Sequence, residues 1–279
     1  MIKVLIAGSV RQKKVILEQF LLSLYDLNLN GIEVDYAFVD DNDDKRASNL
    51  LRKFRPLQSR VWFFEVEPDQ ESYIRNEANH YWSNSLVSRV ANNKDLLLKH
   101  ALMKQYDYIL LVDSDLLLHP DTLLHLVSCN RDIISEVFWT RWTNTHELPN
   151  VWLMDEYKLY IAERGEEVDA NEKDLRSMDF LNQLRKPGSY RVGGLGACTL
   201  ISSKALTAGV CYQEIYNLSF QGEDRYFCIR AVVLGFELYV DTCYPCYHIY
   251  RDSDLEGVPA FLRSIPYRSI INLKNHSGL

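Results

Sequence analysis

The chain has 279 residues, 47% of them hydrophobic and 12% aromatic, and its 38 acidic residues outnumber its 31 basic residues to give a formal net charge of -7. This composition excludes an intrinsically disordered protein, and the acidic balance argues against broad electrostatic binding to nucleic acid or to an anionic membrane surface. No window approaches the ~20 apolar residues of a transmembrane helix, and the N-terminus reads as a strand, not as a signal peptide. We therefore expect no integral membrane segment and a cytoplasmic location.

The first half of the chain alternates between strand-like apolar runs and helical apolar stripes. Strands are predicted over 3–8, 32–39, 60–66 and 108–112. Helices are predicted over 14–27, 48–54 and 84–106. This alternation predicts an α/β fold in which a mostly parallel central sheet is flanked by helices on both faces. Ligands of such sheets bind outside the carboxyl ends of the strands.

The second half of the chain is less regular. Strands are predicted over 132–139, 197–201 and 236–240, and a helix over 224–234. The charged segment 151–177 has little periodicity, so we expect an exposed helix or an excursion there. Without an internal repeat or a clear linker, we predict a single composite domain over 1–279, with a first half (1–116), a second half (117–250) and a C-terminal extension (251–279).

Six cysteines are a modest number for this length, and they form no compact framework, so we expect reduced thiols. Cys243-Tyr-Pro-Cys246 has the spacing of a redox motif or of half a zinc site. No second pair follows at a workable distance, and strand-like residues surround the motif. We therefore favour a structural role for these cysteines over a metal or redox role.

The motif Asp113-Ser114-Asp115 directly follows the apolar strand predicted over 108–112. Two carboxylates two residues apart in an extended segment can face one cation, and hard divalent metals prefer oxygen ligands. The same spacing recurs at 41/43 and 252/254, so the position at the end of a central strand singles this motif out. The alternative is an acidic turn that caps the helix near Pro120. We favour metal binding.

Asp40 and Asp41 end the second predicted strand, and they should lie at the same sheet edge as Asp113. A carboxylate there can accept hydrogen bonds from a ribose hydroxyl or a base. The alternative is a solvated acidic loop, which describes Asp43 and Asp44.

The order and spacing of several motifs resemble the glycosyltransferases of the GT-A fold, most closely the family 2-like group. The resemblance rests on the segments 7–11, 39–41, 110–116, 193–196 and 222–225 and on Arg89, Asn93 and His248. It covers about residues 2–250. It implies a Rossmann-like GT-A fold and metal-dependent transfer of a sugar from a UDP- or GDP-sugar to an acceptor hydroxyl. Residues 1–116 would then bind the nucleotide sugar, and 117–250 would hold the acceptor and the catalytic groups.

The resemblance also implies roles for individual residues. Those that would hold the nucleotide are Ala7, Ser9, Arg11, Asp40, Asp41, Arg89, Asp113 and Ser114. Asp113, Asp115 and His248 would bind Mn²⁺ or Mg²⁺, ions that suit a mixed oxygen and imidazole set. On sequence alone, a single histidine in a tyrosine-rich strand is more often a packed residue than a metal ligand. The family's frequent Ala-Arg-Asn triplet reads Ala91-Asn92-Asn93 in this chain.

Glu223 and Asp224 form an acidic pair at the start of a predicted helix, where acidic residues by themselves stabilise the helix by ~0.3–1 kcal/mol. The resemblance implies that Asp224 takes the proton of the acceptor hydroxyl in an inverting reaction and that Glu223 holds an acceptor hydroxyl or orients the site. Gly193 and Gly194 would let the backbone approach the substrate, with a turn as the alternative.

Three tryptophans, Trp139, Trp142 and Trp152, follow the aspartate motif and could stack on an acceptor sugar, with core packing as the alternative. Other functions remain open. They are a retaining GT-A transferase, a fold that binds nucleotide or glycan without turnover, and a sugar-phosphate nucleotidyltransferase, which expects a longer glycine-rich loop than Gly8 offers. A dehalogenase-like phosphatase also uses two aspartates, but its motif needs a following Thr or Val on an early strand, and Leu116-Leu117-Leu118 does not fit. The acceptor could be a lipid-linked sugar, another glycan, a protein or a small molecule.

Overall fold

The computed structural model describes residues 1–66, 83–141, 147–218 and 222–265. The strands within these ranges are β1 (Ile2–Val10), β2 (Ile32–Asp40), β3 (Val61–Glu65), β4 (Tyr108–Leu111), β5 (Leu116–Leu117), β6 (Ile133–Arg141), β7 (Glu147–Pro149), β8 (Val151–Trp152), β9 (Ser189–Val192), β10 (Gly194–Leu195), β11 (Thr199–Ser202) and β12 (Leu238–His248). The helices are α1 (Lys14–Tyr25), α2 (Lys45–Lys53), α3 (Asn84–Met103), α4 (Thr122–Ser128), α5 (Ala170–Leu184), α6 (Ser203–Ala208), α7 (Glu223–Val233) and α8 (Val258–Ser264).

The α/β fold class is confirmed, and the larger differences from the sequence prediction have local causes. Helix α2 begins at Lys45, three residues early, because the Asp44 side chain caps it by accepting a hydrogen bond from the Arg46 amide. The charged segment 151–177 divides into β8, an irregular stretch and the first part of α5. Strand β12 continues well past the predicted end at 240 and includes the whole Cys243-Tyr-Pro-Cys246 motif.

One sheet runs through both predicted halves of the chain, in the order β3-β2-β1-β4-β11-β6-β12-β5. Strands β3, β2, β1 and β4 are parallel to one another, and β6 is parallel to β12. Strand β11 runs antiparallel between β4 and β6. The mostly parallel central sheet is therefore confirmed. The division into 1–116, 117–250 and 251–279 stays a prediction, and residues 266–279 lie outside the described residues.

Alternate residues of the central strands enter two separate hydrophobic cores, as expected for a sheet covered on both faces. Leu5 and Ala7 of β1 pack in one core, with α3, α6 and α7. Val4 and Ile6 of the same strand pack in the other core, with α1, α2 and α4. No helix in the described ranges is both long enough and apolar enough to cross a bilayer.

The register of the parallel strands brings their carboxyl ends to one edge. Val10 pairs with Asp40, and Ala7 pairs with Leu111. Gly8 is required at this edge because a Cβ atom there would lie 2.4 Å from the carbonyl oxygen of Val112. The loops that follow β1, β2 and β4 therefore meet in one place.

Candidate active site

A pocket of about 310 Å³ opens where the loops after β1, β2 and β4 meet. Its wall contains nine of the polar residues singled out from the sequence, namely Ser9, Arg11, Asp41, Asp113, Ser114, Asp115, Glu223, Asp224 and His248. Aromatic side chains complete the wall, among them Phe138, Trp152, Tyr157 and Tyr250. The pocket thus combines a carboxylate-rich floor with apolar rings.

One end of the pocket, here called the Asp113 end, brings together Asp113, Asp115 and His248. The last residues of β12 pair with β5, so that the Ile249 amide donates to the Asp115 carbonyl oxygen at 2.9 Å. This pairing places His248 Nε2 3.7 Å from Asp115 Oδ2. The other ring nitrogen, Nδ1, is 2.8 Å from the Thr140 hydroxyl, which orients the imidazole with Nε2 towards the carboxylate.

The donor set at the Asp113 end suits a divalent cation. Burial raises the pKa of Asp113 to about 6, and the neighbouring charges of Asp115 and Glu223 also raise it, against the opposing effect of Lys94. A bound cation would relieve the repulsion between these carboxylates. Carboxylate oxygens and one imidazole nitrogen are a ligand set that Mn²⁺ and Mg²⁺ accept. The alternative that Asp113 and Asp115 cap the following helix is not supported, because α4 begins at Thr122 with Asp121 at the N-cap.

At the other end of the pocket, the Asp224 end, the acidic residues are backed by a buried lysine that the sequence analysis missed. Lys94 Nζ lies 2.8 Å from Asp224 Oδ1 and 3.0 Å from Glu223 Oε1. Burial by itself lowers the pKa of Lys94, but the charges of Asp224, Glu223 and Asp113 outweigh it and hold the pKa well above its usual value. Lys94 is therefore an ammonium ion that offsets part of the negative charge of the pocket floor.

Asp224 has two different oxygen environments. Oδ1 accepts the hydrogen bond from Lys94, and Oδ2 lies beside Gly196, where a Cβ atom would come within 3.2 Å of it. Burial raises the pKa of Asp224 to about 7, and Glu223 and Asp113 raise it while Lys94 lowers it. A carboxylate with a pKa near neutrality can exchange a proton with a bound molecule at physiological pH.

Helix α3 supports both ends of the pocket. Arg89 Nε donates to both carboxylate oxygens of Asp41 at 3.0 Å, and Asn93, one turn later, donates to the Ser9 hydroxyl at 3.0 Å. Lys94 follows on the same helix and reaches the Asp224 end. The loops after β1 and β2 are thus held by the helix that also pairs with the acidic residues of α7.

Three residues assigned to nucleotide binding do not line the pocket. Ala7 is fully buried in the sheet between Ala37 and Leu111. Asp40 points to its own loop, where it accepts hydrogen bonds from Asn42 and from the Ser48 hydroxyl at 2.8 and 2.9 Å. Arg89 lies behind Asp41 as its ion-pair partner.

The two glycines assigned to substrate binding, Gly193 and Gly194, also lie outside the wall. A Cβ atom on Gly193 would meet the Leu153 carbonyl oxygen at 2.0 Å, and one on Gly194 would meet the Trp152 ring at 2.0 Å. The pairing of β10 with β8 therefore requires both glycines, whereas Gly196 of the same motif reaches the pocket.

The three tryptophans considered for stacking differ in their positions. Trp139 is covered by the guanidinium group of Arg185, 3.4 Å from its ring centre. Trp152 lines the pocket. Trp142 lies outside the described residues.

Two residues that the sequence analysis missed, Lys94 and Asn150, differ in whether the sequence contained a signal for them. Lys94 shares a helical face with Ala91, Leu98 and Ala101, and a charged residue on such a buried stripe is a signal that it has a polar partner. Asn150 had no such signal. Its side chain donates to the carbonyl oxygens of Glu136 and Ala197 at 3.1 and 3.2 Å, contacts that only the folded chain creates.

Solved structures share this architecture at low sequence identity. S. aureus TarS 1-349 superposes with a TM-score of 0.53 at 13% identity, covering 96% of this chain and 67% of that one. The mannosyltransferase PcManGT from Pyrobaculum calidifontis, in complex with GDP-Man and Mn²⁺, gives 0.54 at 11% identity over 94% and 61% of the two chains. GalNAc-T7 with UDP, GalNAc and Mn²⁺ gives 0.56 at 13% identity over 89% and 43%. These similarities confirm the GT-A fold.

Sequence comparison gives the family. A "Glycosyltransferase 25 family member" of Aedes aegypti is 21% identical over 210 residues, which cover 67% of this chain and 35% of that protein. The chain thus spans about a third of the length of that relative. Residues 1–160, more than half of the chain, match the model of the glycosyltransferase family 25 N-terminal domain. The resemblance to GT-A glycosyltransferases is therefore confirmed, and the chain belongs to glycosyltransferase family 25.

Proposed function

We propose that this chain transfers a sugar from a nucleotide-diphosphate sugar to an acceptor hydroxyl with the help of a divalent metal ion. The observation that carries the proposal is the arrangement of the pocket. A carboxylate and imidazole cluster lies at the Asp113 end, and a carboxylate with a raised pKa lies at the Asp224 end of the same cavity. Transfer needs two such groups, one beside the leaving diphosphate and one beside the attacking hydroxyl.

The donor would occupy the Asp113 end. Asp113, Asp115 and His248 Nε2 would hold Mn²⁺ or Mg²⁺, which when bound would offset the negative charge of the diphosphate. Asp41, fixed by Arg89, is placed to accept a hydrogen bond from the nucleoside. Complexes of GT-A relatives with UDP-GlcNAc, with GDP-Man and Mn²⁺, and with UDP, GalNAc and Mn²⁺ support a nucleotide-sugar donor.

The acceptor would approach from the Asp224 end. Its oxygen forms a bond to the anomeric carbon while the bond from that carbon to the diphosphate breaks and the diphosphate leaves with the electron pair. Asp224 takes the proton of the acceptor hydroxyl, and attack from the face opposite the diphosphate inverts the anomeric centre. Lys94 holds one oxygen of Asp224 and so orients the other. Such base catalysis is typically worth ~10²–10⁴-fold in rate.

The aromatic wall suits a sugar as the acceptor or as the transferred group. The rings of Trp152 and Tyr157 pack edge to face, with their centres 4.6 Å apart, and both line the pocket. Sugar rings present apolar C–H faces that pack against such rings. A glycan, lipid-linked or small-molecule acceptor that presents a sugar ring fits this wall.

The test is a screen of UDP-, GDP- and CDP-sugars for hydrolysis and for binding, with and without Mn²⁺. We expect one donor class to be hydrolysed slowly when a divalent metal is present. The variant Asp115→Asn should lose this metal-dependent hydrolysis. Binding of a donor without any turnover, even with sugar acceptors added, would indicate a nucleotide-sugar-binding protein. If no donor binds with any divalent metal, the proposal is wrong.

A further inference from the structure

A second group of metal-ligating side chains lies where α4 meets β12, and none of its members lines the pocket. His125 Nε2 is 3.1 Å from Asp241 Oδ2, and Cys129 Sγ is 3.8 Å from each of these two atoms. One ligand atom from each of His125, Asp241 and Cys243 lies within 4.8 Å of the other two. We call these four residues the α4–β12 cluster.

Secondary structure brings the four side chains together in pairs. His125 and Cys129 are four residues apart at the end of α4, a spacing that places both on one helix face. Asp241 and Cys243 are two residues apart on β12, so both leave the strand on the same side. Tetrahedral zinc, with bonds of about 2.0–2.3 Å, keeps neighbouring ligand atoms roughly 3.3–3.8 Å apart. The three distances among His125, Cys129 and Asp241 already approach these values, and Cys243 lies within 4.8 Å of His125 and Asp241.

A buried carboxylate beside the cluster supplies independent evidence for a cation. Glu136 pairs with Asp241 across the sheet and is fully buried, and its carboxylate oxygens are near only the backbone amides of Tyr244 and Val137, neither of which meets hydrogen-bond geometry. Burial raises the pKa of Glu136 well above its usual range, and the charge of Asp241 raises it further, so the ionised carboxylate is disfavoured here unless a cation lies nearby. A buried carboxylate without a partner is costly, and a cation at this place would compensate it.

Within the ranges that the structure describes, the basic side chains near the cluster do not take the place of such a cation. Among the described residues, no lysine or arginine forms an ion pair with Asp241, whose partner is His125. Arg131 acts on Cys129 from a distance, but its guanidinium group lies over the Tyr239 ring, 3.9 Å from the ring centre. The cluster therefore contains two thiols, an imidazole and a buried carboxylate, and no lysine or arginine of the described residues is bonded to that carboxylate.

We propose that His125, Cys129, Asp241 and Cys243 bind one Zn²⁺ ion, at a site distinct from the pocket. Two thiolates and an imidazole favour zinc over the harder ions Mn²⁺ and Mg²⁺. Four protein ligands are typical of a structural zinc site, with no open position for a substrate. The sequence motif Cys243-Tyr-Pro-Cys246 contributes only its first cysteine to this site. The other three zinc ligands are the two residues of α4 and Asp241.

The site would stabilise the strand that carries His248. The register of β12 with β6 is irregular between Asp241 and Cys246, and His248 follows two residues later. A metal ion that joins α4 to Asp241 and Cys243 would anchor the strand at the start of this irregularity. The role is structural, so it does not depend on the reaction proposed for the pocket.

The test is cobalt substitution in the reduced, chelator-treated protein. We expect one equivalent of Co²⁺ to give the near-ultraviolet absorption of cobalt–thiolate bonds and Zn²⁺ to displace it. The pocket contains no cysteine, so metal bound there does not contribute to this band. The double variant Cys129→Ser/Cys243→Ser should lose the band. The control Cys211→Ser, which removes another half-buried thiol, should keep it.

Affinity gives a second measurement. Cys129→Ser should weaken Zn²⁺ binding by at least about 100-fold, since even the outer partners of metal ligands contribute ~10–100-fold. A reduced wild-type protein without the cobalt–thiolate band, or a double variant with an unchanged band, overturns the proposal.

A third measurement needs no variant and therefore does not depend on whether the variants fold. Zn²⁺ should slow alkylation of Cys129 and Cys243 by iodoacetamide together, as mapped by mass spectrometry, and leave Cys211 unchanged. Equal alkylation of Cys129 and Cys243 with and without Zn²⁺ also overturns the proposal.

Discussion

Lys94 and Asp224 form an ion pair at the floor of the pocket, with Nζ 2.8 Å from Oδ1. The carboxylate that we propose as the base is therefore held by an ammonium group on a different element, α3. The pair contributes both to the position of Asp224 and to its affinity for a proton, because burial raises the pKa of Asp224 to about 7 against the lowering effect of Lys94.

Lys94→Gln should shift the pH dependence of transfer to higher pH. Without the ammonium charge the pKa of Asp224 rises further, so a smaller fraction is ionised at neutral pH. We expect the acidic limb of the kcat/KM profile to move towards alkaline pH and the activity lost at pH 7 to return partly at higher pH.

The control for this change is Lys99→Gln, an exposed lysine on the same helix. Breaking a buried ion pair costs up to about 3–5 kcal/mol, so thermal unfolding of both variants must be followed. An acidic limb that stays in place while activity falls at every pH would assign Lys94 a purely structural role.

Asp224→Asn should leave donor binding nearly unchanged while transfer falls by ~10²–10⁴-fold, because the amide cannot accept the proton of the hydroxyl. Donor Kd and single-turnover transfer rate check this. Glu223→Gln is the matched comparison, since Glu223 shares the Lys94 partner. We expect it to raise the acceptor KM more than it lowers kcat. Parallel losses of donor binding and transfer in Asp224→Asn would contradict the role of a base.

Thr140→Val should weaken metal binding without removing a ligand. The valine cannot bond His248 Nδ1, which now lies 2.8 Å from the Thr140 hydroxyl, so the imidazole loses its fixed orientation. We expect the Mn²⁺ concentration for half-maximal activity to rise by ~10–100-fold, with kcat largely restored at saturating Mn²⁺. Thr207→Val, at an exposed threonine of α6, is the control. An unchanged Mn²⁺ requirement would argue against His248 as a ligand.

Gly196→Ala should lower transfer activity, whereas Gly194→Ala should lower the stability of the fold. The alanine at 196 brings a methyl group 3.2 Å from Asp224 Oδ2, so we expect lower transfer activity with a nearly unchanged unfolding temperature. The alanine at 194 collides with the Trp152 ring, and such overpacking typically costs ~1–3 kcal/mol of folding free energy. Calorimetry and activity together separate the two effects. A destabilised but normally active Gly196→Ala protein would remove Gly196 from the site.

The parts of the fold that sequence predicts well are those in which local pattern and burial agree. The strand that ends at Leu111 is apolar throughout because helices cover both of its faces, and this placed Asp113 and Asp115 at the sheet edge. Strand β12 was predicted too short. Its second half contains Pro245, which locally indicates a turn, and the strand continues because it pairs with β5 up to His248.

Contacts between distant segments explain what sequence analysis missed in the site. Lys94 and Glu223 are 129 residues apart, so nothing in the local sequence of either residue identifies the other. The glycine-rich segment 193–196 shows a second limit of sequence analysis. It indicated close backbone approach correctly, but whether a glycine meets Trp152 or the pocket depends on the pairing of β10 with β8.

The positions of Arg89, Asn93 and Lys94 within two turns of α3 have a consequence for how donor preference can change. Arg89 and Asn93 hold the loops at the nucleoside side, and Lys94 holds Asp224. A rotation or slide of α3 that accommodates a different nucleotide also moves the ammonium group relative to the carboxylate. In the reaction proposed above, substitutions that alter donor choice through this helix should therefore also alter the rate at which Asp224 removes a proton.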